Sequence, residues 1–290
     1  MPEARQKPVL GDGSAQSGPR VERLGVVSYA NVSPLHYRLE PWCDEETSVE
    51  FVYGVPSELN ASLLAGEIDL TLVSSIEFIR QRRRLVALPD FSIATLGPAY
   101  SVMLFHWRPW SQLHGARIAV TTESATSVEL LRVLLQGHGM KGELIPMAPV
   151  LDEMLASCDG ALLIGDAALA EGVACRSIDG RAPVVTDLGE AWYRLTRLPF
   201  TFAVWASLRD NPPSEALVER LRSARERGLG EISQVAALEA PRSGVPESVM
   251  RRYLSNFRYY LEPPDRDGLD EFARRSIPRI DLAQLEYWQL

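Results

Sequence analysis

The feature that most constrains this chain is an alternation, starting at Arg23, of short β-branched apolar runs with amphipathic stretches. LGVVSY (24–29), VEFVYG (49–54), IDLTLV (68–73) and LVAL (85–88) read as strands. Between the second and third lies PSELNASLLAGE (56–67), which opens on Pro56, sets Leu59, Leu63 and Leu64 on one helical face and closes on Gly66, where a helix-ending glycine belongs. A second block repeats the pattern: RIAV (117–120), a helix over 126–136, ELIPM (143–147), a helix near 150–157, ALLI (161–164) and PVVTDL (183–188). Each block is expected to build its own small sheet. YSVMLFHW (100–107) leads into the second block and PFTFAVWA (199–206) leads out. Both are apolar and aromatic, and both are expected to cross between two lobes as the strands of a hinge.

Beyond Ala206 the pattern is helical, over 211–228, near 246–262 and over 266–290, and these helices are expected to return to the first lobe. The expectation is therefore an α/β protein of two lobes with a ligand cleft between them. Residues 1–20 form a leader, 21–106 with 204–290 lobe one, and 107–203 lobe two.

Composition narrows the partners. A chain of 290 residues needs no metal or disulfide to hold its core. Its 38 acidic against 30 basic residues give a net charge of −8, which argues against nucleic acid or an anionic membrane as the main partner. Cys43, Cys158 and Cys175 are far apart and odd in number, suiting a reducing compartment and making zinc an unfavoured reading. The leader MPEARQKPVLGDGSAQSGPR has no apolar core of a secretory signal, and no apolar run approaches the ~18 residues of a membrane span, so a cytoplasmic location is expected. The run RQRRR (80–84) reads as a solvated helix end.

Ligands of open α/β sheets bind beyond the carboxyl ends of the strands. Here those ends are small and polar. The first strand delivers Ser28, Tyr29 and Asn31; the third Ser74 and Ser75; the crossing strand begins at Ser101; RIAV delivers Thr121, Thr122, Ser124, Thr126 and Ser127; ALLI delivers Gly165 and Asp166. Any one of these is explained by helix capping alone. Their convergence would aim hydroxyls and helix N-termini at an anion without any arginine. Tyr29, Trp192 and Tyr193 are candidates to pack against such a guest. Asp166 also suits a helix start with no ligand, Glu77 reads as a solvated or structural carboxylate, and His36 as a capping or surface histidine. His106, His114 and His138 fit no triad order, and neither a nucleophile elbow nor a nucleotide-binding glycine motif follows a strand, so no cofactor is implied.

Several stretches taken together resemble the periplasmic-binding-protein-like enzymes of the futalosine route to menaquinone, and among them the chorismate dehydratases. They are GVVSYANVSPL (25–35), VPSELNASLLAGEIDLTLVSSIEF (55–78), GPAYSVMLF (97–105), TTESATSVELL (121–131), ALLIGDAAL (161–169) and DLGEAWYRLTRLPFTFAVWA (187–206), the first and last being the most specific. The resemblance implies a type II periplasmic-binding-protein-like fold. It also implies a carbon–oxygen hydro-lyase that converts chorismate to 3-[(1-carboxyvinyl)oxy]benzoate, and hence a small dicarboxylate as partner. A homodimer stays open. By resemblance Asn31 and Ser101 contact the reacting region, Asn31 as an amide donor and Ser101 as a donor near the ring.

Two other readings stand beside this one. A solute-binding module for a small anion would share the fold, and the sister enzyme forming 1,4-dihydroxy-6-naphthoate would share the pathway. The sister carries a different first-strand motif and a histidine base, whereas this chain has YANVSPL there and no histidine in TTESATS. Pro98 and Arg197 depart from the family pattern, in which a non-proline residue and a glycine are common.

Overall fold

The computed structural model describes residues 20–44, 47–178 and 180–288; of the leader expected over 1–20, all but Arg20 lies outside them. The alternating blocks do form two sheets. The first has six strands: β1 (Arg20–Val27), β2 (Trp42–Cys43), β3 (Thr47–Gly54), β4 (Leu70–Ser74), β5 (Leu85–Thr95) and β11 (Phe200–Leu208), in the order β2-β3-β1-β4-β11-β5. β1 runs parallel to β3 and β4, while β11 lies antiparallel between β4 and β5. The second has five: β6 (Val102–His106), β7 (Arg117–Thr121), β8 (Glu143–Met147), β9 (Gly160–Ile164) and β10 (Val184–Asp187), in the order β10-β6-β9-β7-β8. Helices α1 (Pro56–Ala65), α3 (Ala125–Gly137) and α4 (Leu151–Ser157) lie on the crossovers of the parallel strands, while α2 (Ser75–Arg80), α5 (Gly165–Ala174) and α6 (Leu188–Thr196) follow β4, β9 and β10.

Local chemistry sets the ends of these elements. Pro56 occupies the first position of α1, and Gly66 closes it at φ 75°, a left-handed conformation that costs a residue with a Cβ about 1–2 kcal/mol. The Ser124 side chain caps α3 by accepting the N–H of Ser127. Period-two alternation is kept in the second sheet. Leu104, Ile118, Val120 and Leu162 face the main core, which continues into the first sheet, whereas Met103, Phe105, Ala119 and Leu163 join Leu151 and Met154 of α4 on the far face.

The crossing strands differ from expectation. β6 belongs wholly to the second sheet and β11 wholly to the first. The chain changes sheet between Thr95 and Val102 and again between Asp187 and Phe200, earlier each time than the expected lobe limits at 106/107 and 203/204. The reason is hydrogen bonding: every residue of β6 pairs with β9, and β11 pairs with β4 on one side and β5 on the other, so neither ladder has backbone groups to spare for a bridge.

After β11 come α7 (Glu215–Gly230), α8 (Ile232–Ser243), α9 (Glu247–Ser255) and α10 (Pro263–Ser276). α8 carries Pro241 in its last turn, a residue that reads as a break in sequence. α7, α8 and α9 pack on the short 3-10 helix Ala30–His36 that follows β1. Among the described residues no helix is long and apolar enough to cross a membrane.

Candidate active site

Strand ends from both sheets meet at one small, mostly apolar cavity. β1 leads into Tyr29 and Asn31, β4 ends at Ser74, the segment before β6 supplies Ser101, the start of α3 supplies Ser124 and Ser127, and β9 runs out into Gly165. Val32, Leu72, Ile93, Val102, Ile164, Phe202 and Phe257 make the apolar walls. Of the residues expected to meet a ligand, Tyr29, Asn31, Ser74, Ser101, Ser127 and Gly165 therefore line one surface.

Ser28, Ser75, Thr126, Asp166 and Trp192 do not line it. Ser28 is exposed. The Ser75 hydroxyl is spent on the carbonyl of Thr201 at 2.6 Å. Thr126 Oγ1 accepts the N–H of Ile76 at 3.0 Å, tying α3 to α2. Trp192 is wholly buried, its indole N–H donating to Pro199 O at 3.0 Å and its ring packed edge-on to Phe200 and Phe272. It is a core residue of the return crossing. Asp166 accepts the N–H of Ala30 at 3.2 Å, and burial pushes its carboxyl above the usual range. It joins α5 to the 3-10 helix.

Within the cavity the polar groups differ in how far they are committed. Ser74 Oγ accepts from Asn60 Nδ2 at 3.1 Å, and Ser124 Oγ donates to Ser127 Oγ at 3.2 Å. The N–H of Gly165 is already used by Ser101 O at 2.8 Å. Asn31 is the exception, because its Oδ1 is buried with no hydrogen-bond partner. A buried amide oxygen left unpaired costs roughly 1–3 kcal/mol, so a guest that donates to it would be favoured there. Asn31 sits in the first turn of the 3-10 helix, whose start is fixed by Val32 N donating to Tyr29 O at 3.0 Å.

Two residues that sequence reasoning missed shape the rim. Glu123 Oε2 accepts the Tyr29 hydroxyl at 2.8 Å, and burial together with that carboxylate pushes the phenol well above its ordinary pKa. Their separation of 94 positions left no signal in sequence. Asp187 accepts the N–H groups of Ala99, Tyr100, Gly189 and Glu190 at 2.7–3.1 Å, which pins the segment carrying Ser101 to the start of α6. Being within the distinctive run 187–206, it was visible as a motif but not as an anchor.

Two α/β sheets with their strand ends gathered round a hydroxyl-lined cleft define the periplasmic-binding-protein-type fold. Solved structures agree: a protein from Archaeoglobus fulgidus superposes with a TM-score of 0.67 at 17% identity, covering 90% of this chain and 97% of that one. The periplasmic aliphatic sulphonate binding protein SsuA of Escherichia coli does so at 0.62 and 18% identity, covering 94% and 93%. More narrowly, the chain belongs to the menaquinone-biosynthesis family, whose model matches residues 22–277. It is 46% identical over 262 residues to the chorismate dehydratase of Thermus thermophilus, covering 86% of this chain and 93% of that protein. It is 29% identical over 183 residues to the chorismate dehydratase of Campylobacter jejuni, covering 62% and 65%.

Proposed function

We propose that this chain is a chorismate dehydratase, a carbon–oxygen hydro-lyase of the futalosine route to menaquinone acting in the cytoplasm. The C3 proton and the C4 hydroxyl of chorismate leave as water, and the ring becomes the benzoate of 3-[(1-carboxyvinyl)oxy]benzoate. Aromatisation makes the step strongly downhill, so the protein's task is to lower a barrier.

The observation that carries this reading is the unpaired amide oxygen of Asn31, a residue that lines the same cavity as Ser74, Ser101, Ser124 and Ser127. Such groups suit a guest bearing both carboxylates, which accept from hydroxyls and amide N–H, and an alcohol, which donates to the amide oxygen. Among the described residues no lysine or arginine lines the cavity, so the grip on two negative charges comes from neutral donors. In this scheme Asn31 holds the hydroxyl and one carboxylate in place and Ser101 donates near the ring. The enolpyruvyl carboxylate of the substrate takes the C3 proton, with proximity supplying much of the rate. The apolar walls Val102, Phe202 and Phe257 accommodate the flat product ring.

Purified protein incubated with chorismate tests the proposal. Loss of the diene absorption with chromatographic appearance of the enolpyruvyl benzoate is expected. Binding without conversion would instead mark a solute-binding module. Inertness toward chorismate with conversion of the cyclic futalosine derivative would mark the naphthoate-forming sister.

A further inference from the structure

We propose that Tyr29 and Glu123 are the latch of the cleft: their hydrogen bond holds the two sheets shut over the guest, and its breaking sets how fast product leaves. The nature of that guest rests on the chorismate reading; the latch itself does not.

The two residues come from opposite halves. Tyr29 follows β1 of the first sheet and Glu123 follows β7 of the second, and hydroxyl and carboxylate meet at 2.8 Å. Other ties join the halves, notably Ile76 N to Thr126 Oγ1 and Ala30 N to Asp166 Oδ1. In both of those a backbone N–H is held by a side-chain oxygen set back from the cavity. None of those four residues lines the cavity, whereas Tyr29 does. Tyr29 is thus wall and fastener at once, and a side chain with two rotatable bonds can swing without moving the strand behind it.

The seat of the ring supports the same role. Gly165, at the end of β9 in the second sheet, has φ +61°, and a Cβ there would lie 3.1 Å from the Tyr29 ring carbons Cδ1 and Cε1. Glycine there takes the left-handed turn freely and lets the phenol lie close on it. The second sheet therefore supplies both the floor under the ring and the acceptor for its hydroxyl. A hydrogen bond to a carboxylate in a half-buried place is of the stronger kind. It also turns Glu123 toward the hydroxyl, where an unengaged carboxylate at the rim would repel a dianion.

A double-mutant cycle decides the matter. Tyr29→Phe and Glu123→Ala are each expected to raise the dissociation constant and release rate of 3-[(1-carboxyvinyl)oxy]benzoate about tenfold, the effect of one lost charge-assisted bond. The double variant should be no worse than either single one, and Glu123→Gln, which keeps an oxygen acceptor, should recover most of the loss. Unchanged release, or effects that add in the double variant, would overturn the latch. Small-angle X-ray scattering of the ligand-free protein gives a readout independent of substrate. Tyr29→Phe should show a larger radius of gyration than the parent, and an identical radius would count against the proposal. If the parent neither binds nor converts chorismate, the chorismate reading fails while the scattering comparison still judges the latch.

Discussion

Asp187 holds Tyr100: the aspartate Oδ2 accepts the tyrosine backbone N–H at 2.7 Å, and Tyr100 lies at φ 62°, a conformation a non-glycine residue adopts only when its surroundings enforce it. The next residue is Ser101. The same carboxylate accepts from Gly189 and Glu190 at the start of α6, so one side chain joins both passages between the sheets. Asp187→Ala leaves four part-buried backbone donors without their acceptor. It is expected to cost about 2–4 kcal/mol of stability and, by loosening the Ser101 segment, to cut kcat roughly tenfold or more. Urea unfolding and steady-state kinetics measure the two effects, and wild-type kcat in a destabilised variant would dissociate the anchor from the chemistry.

Asn31→Ala is expected to lower turnover by about 10²–10³ with the melting temperature near that of the parent, the size typical of a lost preorganised donor. Turnover like the parent's would remove Asn31 from the reaction. Trp192→Phe is the contrasting case. Its indole is buried and hydrogen-bonded to Pro199, so the expected loss is about 1–3 kcal/mol of stability with KM little changed.

His36 gives the pH dependence. Burial lowers its pKa from 6.5 to about 4, and its Nε2 has no partner. A folded-state pKa below the unfolded one favours the neutral ring. Above pH 6.5 the group contributes no slope, and between pH 6.5 and 4 the unfolded chain gains a proton that the folded one does not, so stability falls as pH falls. The expected loss across that window is about 2–3 kcal/mol. In His36→Gln that part of the acid sensitivity should vanish, while activity at pH 7 should change far less than in Asn31→Ala. Equal slopes in parent and variant by denaturant titration would rule the histidine out as the source.

Arg197 ends α6 in the left-handed region at φ 63°, with its guanidinium 5.5 Å from the Tyr193 ring centroid. Glycine adopts that conformation freely, whereas a residue with a Cβ is strained in it. Arg197→Gly is expected to stabilise the protein by about 0.5–1 kcal/mol, the relief of strain outweighing a weak cation–π contact. A lower melting temperature in the variant would show that the ring contact dominates.

Much of this architecture is legible in the residues. The strands of both blocks, α1 with its proline start and glycine stop, and α3 with its serine cap lie where periodicity and capping chemistry put them, because those signals act within a few residues. The hinge was harder to read. The apolar runs YSVMLFHW and PFTFAVWA look like bridges, yet each pairs with strands of a single sheet, and the short stretches before them do the crossing. Composition cannot tell a bridging strand from a central one, since both are apolar on two faces. Ser75, Thr126 and Trp192 illustrate the same limit in the site. Ser75 and Thr126 have the right chemistry near strand ends and Trp192 the right ring for packing, but Thr201 O, Ile76 N and Pro199 O engage them.

By itself, then, the sequence determined the order of elements, the two-sheet division and the placing of small polar residues at strand ends, since helix and strand patterns and caps are local properties of the chain. Tertiary structure decided which of those polar groups keep free lone pairs in the cavity and which are consumed as ties. It also decided that Tyr29 meets Glu123 and that Asp187 meets Tyr100. Those outcomes depend on the packing of segments some 90 positions apart, where hydrogen-bond capacity is shared out by geometry that local propensity does not encode.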